Sequence, residues 1–422
     1  MITVALYNLV DTFWVAKLGY QAIAALTIIL PYHILIIAIG VGTGIGIGAL
    51  TSRRFGESNI EATNHAAGQV FPLAGVFGAI FLLAAVFFPK PILTICGATP
   101  DIMDLATQYL VVLGFGTPFL FFLLMGSSLL RGSGEAVRPM VFTIVSQVVN
   151  IVLDPLLIFG LGPFPKMGVG GAALATVIGQ LLGAGLIFFY MVTGKTAYHV
   201  KPAHLKPNLP VIRDIYRVGF PSMITEITES VVFALFNYVL SSFGSLALAA
   251  VGITIRIADL AFMPIFGVSQ GLLPIVGFNF GARLWNRLWR AVKLASVGTA
   301  LLLGVALVVL EIFTPNLIGI FSKDPELMAI AVPAMRIVMS MIVLVGPSIL
   351  FITTFQGLSK GKEALLLSLV RQFVFFVPLI FLLPRILGMM GVWLSLPVSD
   401  VLAFLVTGLW LLREYRRQRR ES

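Results

Sequence analysis

Long apolar runs, most of 20 residues or more and separated by short polar stretches, leave this chain few ways to fold. A helix rises 1.5 Å per residue, so about 20 apolar residues cross a ~30 Å hydrocarbon layer. The runs fall near 1–16, 22–51, 68–89, 104–130, 139–161, 168–193, 216–242, 247–279, 291–320, 328–356, 364–384 and 390–412. Backbone groups in lipid must bond within their own segment, so the runs are expected as helices. The expected fold class is an all-α polytopic membrane protein with 12 transmembrane helices. The first run is too short to cross, so helix 1 reads as N-terminally truncated. With 59% hydrophobic and 11% charged residues, a soluble chain of 422 residues would lack the charged surface that keeps it dispersed.

Basic residues orient the spans. One set of alternate loops, with the C-terminal tail, holds Arg53, Arg54, Arg131, Arg138, Lys195, Lys201, Lys206, Arg213, Arg217, Arg283, Arg287, Arg290, Lys293, Lys360, Lys362, Arg371, Arg413, Arg416, Arg417, Arg419 and Arg420. The opposite loops hold Lys17, Lys90, Lys166, Lys323 and Arg385. The positive-inside rule places the first set, and both termini, in the cytoplasm of a cell (inner or plasma) membrane. The net charge of +10 is thereby accounted for without a nucleic-acid partner. The polar, basic stretch 195–215 reads as a cytoplasmic linker between a first lobe, 1–194, and a second, 216–412, with a basic tail at 413–422. Its His199 and His204 read as solvated loop residues, and the sequence offers no partner cluster for a structural metal. Cys96 is the single cysteine, which excludes an internal disulfide and a cysteine-based metal cluster.

The chain also repeats itself. At an offset of 225 positions Gly19 meets Gly244, Gly42 meets Gly267, Gly46 meets Gly271, and Phe55-Gly56 meets Phe280-Gly281. Further on, Pro100 meets Pro325, Gly132 meets Gly357 and Gln147 meets Gln372. The offset spans six helices, so the two six-helix lobes share one topology and form a parallel internal repeat, a plan used by secondary transporters. Gly40, Gly42, Gly44, Gly46 and Gly48 suit close helix approach, with ligand contact as the alternative. Pro31, Pro264 and Pro274 each remove a backbone donor and are expected to bend their helices.

Chemistry should appear where the repeat breaks. Asp11 is matched by Phe236, and Asn150 and Asp154 are matched by Phe375 and Leu379. An ionised Asp at bilayer depth costs at least ~2.5 kcal/mol, so it normally faces a wet cavity or a partner. Two carboxylates in one low-dielectric lobe repel, and sharing a proton or a small cation relieves them. A pair of acids held by hydrogen bonds in a purely structural role is the alternative. In the second lobe Glu226 and Glu229 lie on helix 7, where either suits the cavity wall. Arg256 and Asp259 suit mutual neutralisation, Arg336 and Asp400 suit a packing pair, and Glu311 suits the outer surface.

The segments YNLVDTFWVAKLG, NIVLDPLLIFGLG, GVGGAALAT, RGSG, QGLSKG and GVWLSLPVSD together resemble the multidrug and toxic compound extrusion (MATE) family across essentially the whole chain. The resemblance implies two six-helix lobes that alternate access and expel cationic or amphipathic compounds in exchange for H⁺ or Na⁺. It further implies a first-lobe coupling cluster of Asp11, Asn150, Asp154 and Thr176. Glu229 resembles a helix 7 acid that one branch of the family uses in a second-lobe cation site. That branch's acid on helix 10 has no counterpart in VGPSILFITTFQG.

The expected function is therefore a secondary antiporter for organic cations, a monomer in membrane lipid that needs H⁺ or Na⁺ but no cofactor. An oligosaccharide-lipid flippase of the same superfamily is the alternative. It would line its cavity with Arg and Lys to meet pyrophosphate, for which Arg256 and Arg336 are the candidates. A membrane-embedded enzyme would need paired Asp-rich segments or a His cluster, and the sequence shows neither.

Overall fold

The computed structural model describes residues 10–11, 13–194, 196–321 and 324–421. Among these residues every regular element is a helix. Residues 10–11 and 13–16 are helical (α1), followed by α2 (Tyr20–Gly56), α3 (Ile60–Gly68), α4 (Val70–Phe87), α5 (Pro89–Ile95), α6 (Met103–Gly132), α7 (Val137–Phe159) and α8 (Val169–Val192). A short 3₁₀ turn, Pro202–Leu205, precedes α9 (Leu209–Ser241), α10 (Ser245–Gly281), α11 (Trp285–Phe321), α12 (Pro325–Met339), α13 (Ile342–Gly357) and α14 (Gly361–Leu369). A π-helical turn, Val370–Phe376, leads into α15 (Val377–Leu387), and α16 (Met389–Glu421) closes the chain. Among the described residues ten spans are long and apolar enough to cross a membrane, and α12 with α13, bent by 47° at their break, pass the same test together. The start of helix 1 and the expected outer-loop residue Lys323 lie outside the described residues.

Two compact units divide the chain, Met1–Met223 and Ile224–Ser422. In the first, α6 packs against α2, α4 and α8. Small residues set these approaches. Gly78 of α4 faces Pro118 of α6, where the Thr117 hydroxyl donates to the Gly78 carbonyl at 2.9 Å. The glycines of α2 serve two neighbours at once. Gly40 and Gly44 lie against Leu124 and Ser128 of α6, while Gly42 and Gly46 lie against Ile215, Gly219 and Met223 of α9. Close helix approach is thus what these glycines provide.

Helix α9 starts at Leu209, inside the stretch that reads as linker in the sequence. Asn208 explains the early start, because its side chain accepts from the Val211 amide at 3.3 Å. The rest of the linker is strapped to α3 and α4. Gln69 donates to the carbonyls of His204 and Lys206 at 3.1 and 3.0 Å and accepts from the Asn208 amide at 2.9 Å. Asn64 accepts from the His199 amide at 2.8 Å. Gly68 lets the His204 carbonyl rest directly on α3, since a Cβ there would collide with it. His204 is consequently buried, whereas the sequence suggests a solvated loop residue.

In the second unit α10 packs against α11, α12 and α13, and α16 against α13 and α15. Helices α2 and α10 run on through Pro31, Pro264 and Pro274. The charge pairing differs from the sequence expectation. Asp400 of α16 pairs with Arg371 of the π-helical turn, while Arg336 pairs with Glu311 at 3.5 Å. Arg371 therefore sits within a span instead of a cytoplasmic loop, because Gly361 starts that span well before it. Arg256 and Asp259 are both exposed and form no ion pair among the described residues.

Candidate functional site

Two features of α1 place Asp11. Val15 is fully buried, and the Trp14 ring meets Phe159 of α7 edge-on at 6.0 Å. Lys17, at the end of α1, lies over the Trp14 and Phe13 rings at 4.3 and 4.6 Å. An ammonium over aromatic faces is the pairing expected where a helix leaves the hydrocarbon.

Helices α7 and α8 meet along a glycine seam. At Gly171, Gly179 and Gly183 the α8 backbone touches Leu157, Ser146 and Asn150, leaving no room for side chains. The Ser146 hydroxyl crosses the seam to the Gly179 carbonyl at 2.6 Å. One turn along, Asn150 Nδ2 donates to Thr176 Oγ1 at 3.1 Å, and that hydroxyl contacts the Ala172 carbonyl at 3.1 Å.

Asp11, Asn150, Asp154 and Thr176 are all buried, Asp154 completely. Asp11 acts electrostatically on Asp154, so the two carboxylates share one environment. Asp11 Oδ1, Asn150 Oδ1 and both carboxylate oxygens of Asp154 are buried and find no hydrogen-bond partner among the described residues. Buried polar atoms are nearly always paired, so four orphans in one cluster need a physical reason. All four are acceptors when the acids are ionised, and what satisfies acceptors is a proton or a cation. Carboxylate, amide and hydroxyl oxygens form a hard donor set suited to Na⁺ as well as H⁺.

Two neighbours escape the sequence reading. Gln180, four residues after Thr176 on the same face of α8, is buried over Gly116 of α6, and its Oε1 is also unpartnered. Gln147, three residues before Asn150 on α7, carries a further orphan Oε1. The helical spacing of both was visible. Gln180 was hidden because the 225 offset fails beyond α7. Gly168 and Gly388 share the same left-handed backbone, φ 55° and 59°, and precede α8 and α16, so the register there is 220. That register sets Gln180 against Asp400.

The second unit is built differently at the matching places. Phe236 stands where Asp11 stands and packs on Phe376 at 5.9 Å, both buried. Arg371 Nε and Nη2 donate to Asp400 Oδ1 at 3.2 and 2.9 Å. Glu229 lies in this unit, exposed, within electrostatic reach of Arg371.

Long apolar helices in two repeated halves, with buried carboxylates in the first half that find no partner among the described residues, describe a polytopic membrane transporter. The MatE family model matches residues 1–156 and 221–382, and the chain belongs to that family. The chain is 27% identical over 405 residues to the multidrug export protein MepA of Staphylococcus haemolyticus (strain JCSC1435), covering 95% of this chain and 88% of that one. It is 25% identical over 414 residues to MepA of Staphylococcus aureus (strain MRSA252), covering 97% and 90%. A solved multidrug resistance MATE family transporter of the MOP superfamily, in an outward-facing conformation, superposes with a TM-score of 0.93 at 26% identity, covering 100% and 94%. A MOP superfamily transporter from Pyrococcus furiosus Vc1 gives 0.92 at 26%, covering 99% and 93%.

Proposed function

We propose that this chain exports cationic or amphipathic organic compounds by exchange for H⁺ or Na⁺, with Asp11, Asn150, Asp154 and Thr176 as the coupling cluster. The cluster of unsatisfied buried acceptors carries the reading. With both acids ionised the cluster is anionic, has no static counter-ion among the described residues, and attracts a cation. Protons or Na⁺ arriving from outside neutralise it and lower its affinity for the organic cation, which leaves outward. Alternating access supplies the two entrances, because one buried cluster must meet each side in turn. Gln180 and Gln147 add neutral oxygens to the same wall. The protein works as a monomer in a cell membrane, with both termini cytoplasmic.

Glu229 serves as a secondary contact for positive charge. Arg371 already supplies the second unit with a tethered cation, so an exchangeable one is not required there.

The test is efflux of a fluorescent organic cation from proteoliposomes under imposed pH or Na⁺ gradients. Asp11→Asn and Asp154→Asn abolish gradient-driven efflux while the folded fraction is unchanged. Efflux at the unmodified rate in both variants overturns the reading. The gradient that drives transport in the unmodified protein identifies the coupling ion.

A further inference from the structure

Three side chains meet at the strapped linker, far in sequence from the coupling cluster. Glu61 and His65 stand four apart on α3 and so share a face. His204 arrives from the 3₁₀ turn of the linker. Its Nε2 lies 2.9 Å from Glu61 Oε1, and His65 Nε2 lies 3.7 Å from the same oxygen. All three ligand atoms fall within 4.8 Å of one another. Around a tetrahedral zinc with bonds of ~2.0–2.1 Å, ligand atoms sit about 3.3 Å apart, so the trio needs only small side-chain adjustment.

The surroundings hold the trio in place. Glu61 Oε2 accepts from Asn64 Nδ2 at 3.3 Å, which fixes the carboxylate with its other oxygen towards the histidines. Asn64 in turn holds the His199 amide, and Gln69 holds the carbonyls on either side of the turn. Outer partners of this kind orient metal ligands. The two imidazole rings pack edge-to-face at 4.6 Å. Glu61 and His65 keep 66% and 35% of their side-chain surface, which leaves an approach for an ion and a water ligand.

We propose that Glu61, His65 and His204 form a binding site for a divalent transition metal of the zinc class, clasping the linker to α3. Two imidazole nitrogens and one carboxylate oxygen are a common zinc ligand set, with water in the fourth position. The proton balance is simple. His204 Nδ1 accepts from the Lys201 amide at 3.1 Å, so the neutral ring carries its proton on Nε2 and donates it to Glu61. Metal takes Nε2 and the proton transfers through solvent to Nδ1, at the cost of the hydrogen bond from the Lys201 amide. No net proton is released from His204.

The experiment uses the full-length protein in detergent, tag removed and stripped with a chelator, titrated with Zn²⁺ by calorimetry and assayed for bound metal. One Zn²⁺ per chain is expected. Affinity should fall at least tenfold in His65→Ala and in Glu61→Gln, and stay unchanged in His199→Ala and Asp154→Asn. His65→Ala keeps a helix former on a half-exposed position of α3, so folding is retained. Absence of binding, binding unchanged in His65→Ala, or binding lost in Asp154→Asn each overturn the proposal.

Discussion

The two units were built from one template and then spent their polar residues in opposite ways. In the first, both carboxylate oxygens of Asp154, with Asp11 Oδ1 and Asn150 Oδ1, are buried with no partner among the described residues. In the second, the matching wall is Phe236 on Phe376, and the buried charge is closed on itself as Arg371–Asp400. Burying a charge is tolerable when it is paired and costly when it is not. The first unit keeps the costly arrangement, which is what a site that must exchange cations requires. The second keeps the self-sufficient one.

Four experiments break or sharpen that contrast. The largest effect is expected at Asp154, where Asn substitution should abolish gradient-driven efflux. Arg371→Met with Asp400→Leu should leave much of it intact, measured in the same vesicles. Equal losses would show that both units couple.

Glycine packing comes next. Gly46 lies against the Ile215 carbonyl, whereas a Cβ on its repeat partner Gly271 meets no atom within 4 Å. Gly46→Ala should destabilise by about 3 kcal/mol, the upper range for overpacking. Gly271→Ala should be neutral or stabilise by ~0.5–1 kcal/mol through helix propensity. Thermal unfolding in detergent compares the two, and equal shifts would remove the contrast.

Breaking the second unit's pair should follow. Losing one member of a fully buried pair costs ~3–5 kcal/mol. Arg371 keeps 29% of its side-chain surface, so Asp400→Ala should cost about 2 kcal/mol. The Met/Leu double variant should recover most of that loss. A double variant less stable than Asp400→Ala would mean the pair does more than neutralise itself.

The smallest effect is at Thr176. Thr176→Ala removes the acceptor for Asn150 Nδ2 and should cost ~1 kcal/mol, while Thr176→Ser should restore it. Equal melting temperatures for Ala and Ser would show that the bond contributes nothing.

Much of this was legible in the chain itself, for definite reasons. Apolar length announces membrane helices because lipid offers the backbone no alternative. Asp11, Asn150 and Asp154 stood out because a repeat makes substitutions visible as mismatches. Gln180 does not show as a mismatch because the repeat changes register beyond α7, and the sequence sets Arg371 in a loop because charge alone cannot tell a loop residue from a paired one inside a span. His204 looked solvated in a segment rich in Lys and Pro. Gln69, Asn64, Gly68 and Glu61, more than a hundred positions away, fold that segment onto α3.

Lys17 has an electrical consequence. Lys17 follows Asp11 by six positions, about 9 Å at the rise of a helix. If the ammonium and its aromatic neighbours mark the headgroup level, Asp11 lies roughly a third of the way into a ~30 Å core. An ion reaching it from the Lys17 side would cross about a third of the membrane voltage, worth ~0.8 kcal/mol per 100 mV, and one from the far side about twice that. Transport should therefore respond unequally to potential on its two half-cycles, which makes current–voltage curves a ruler for the depth of the carboxylate.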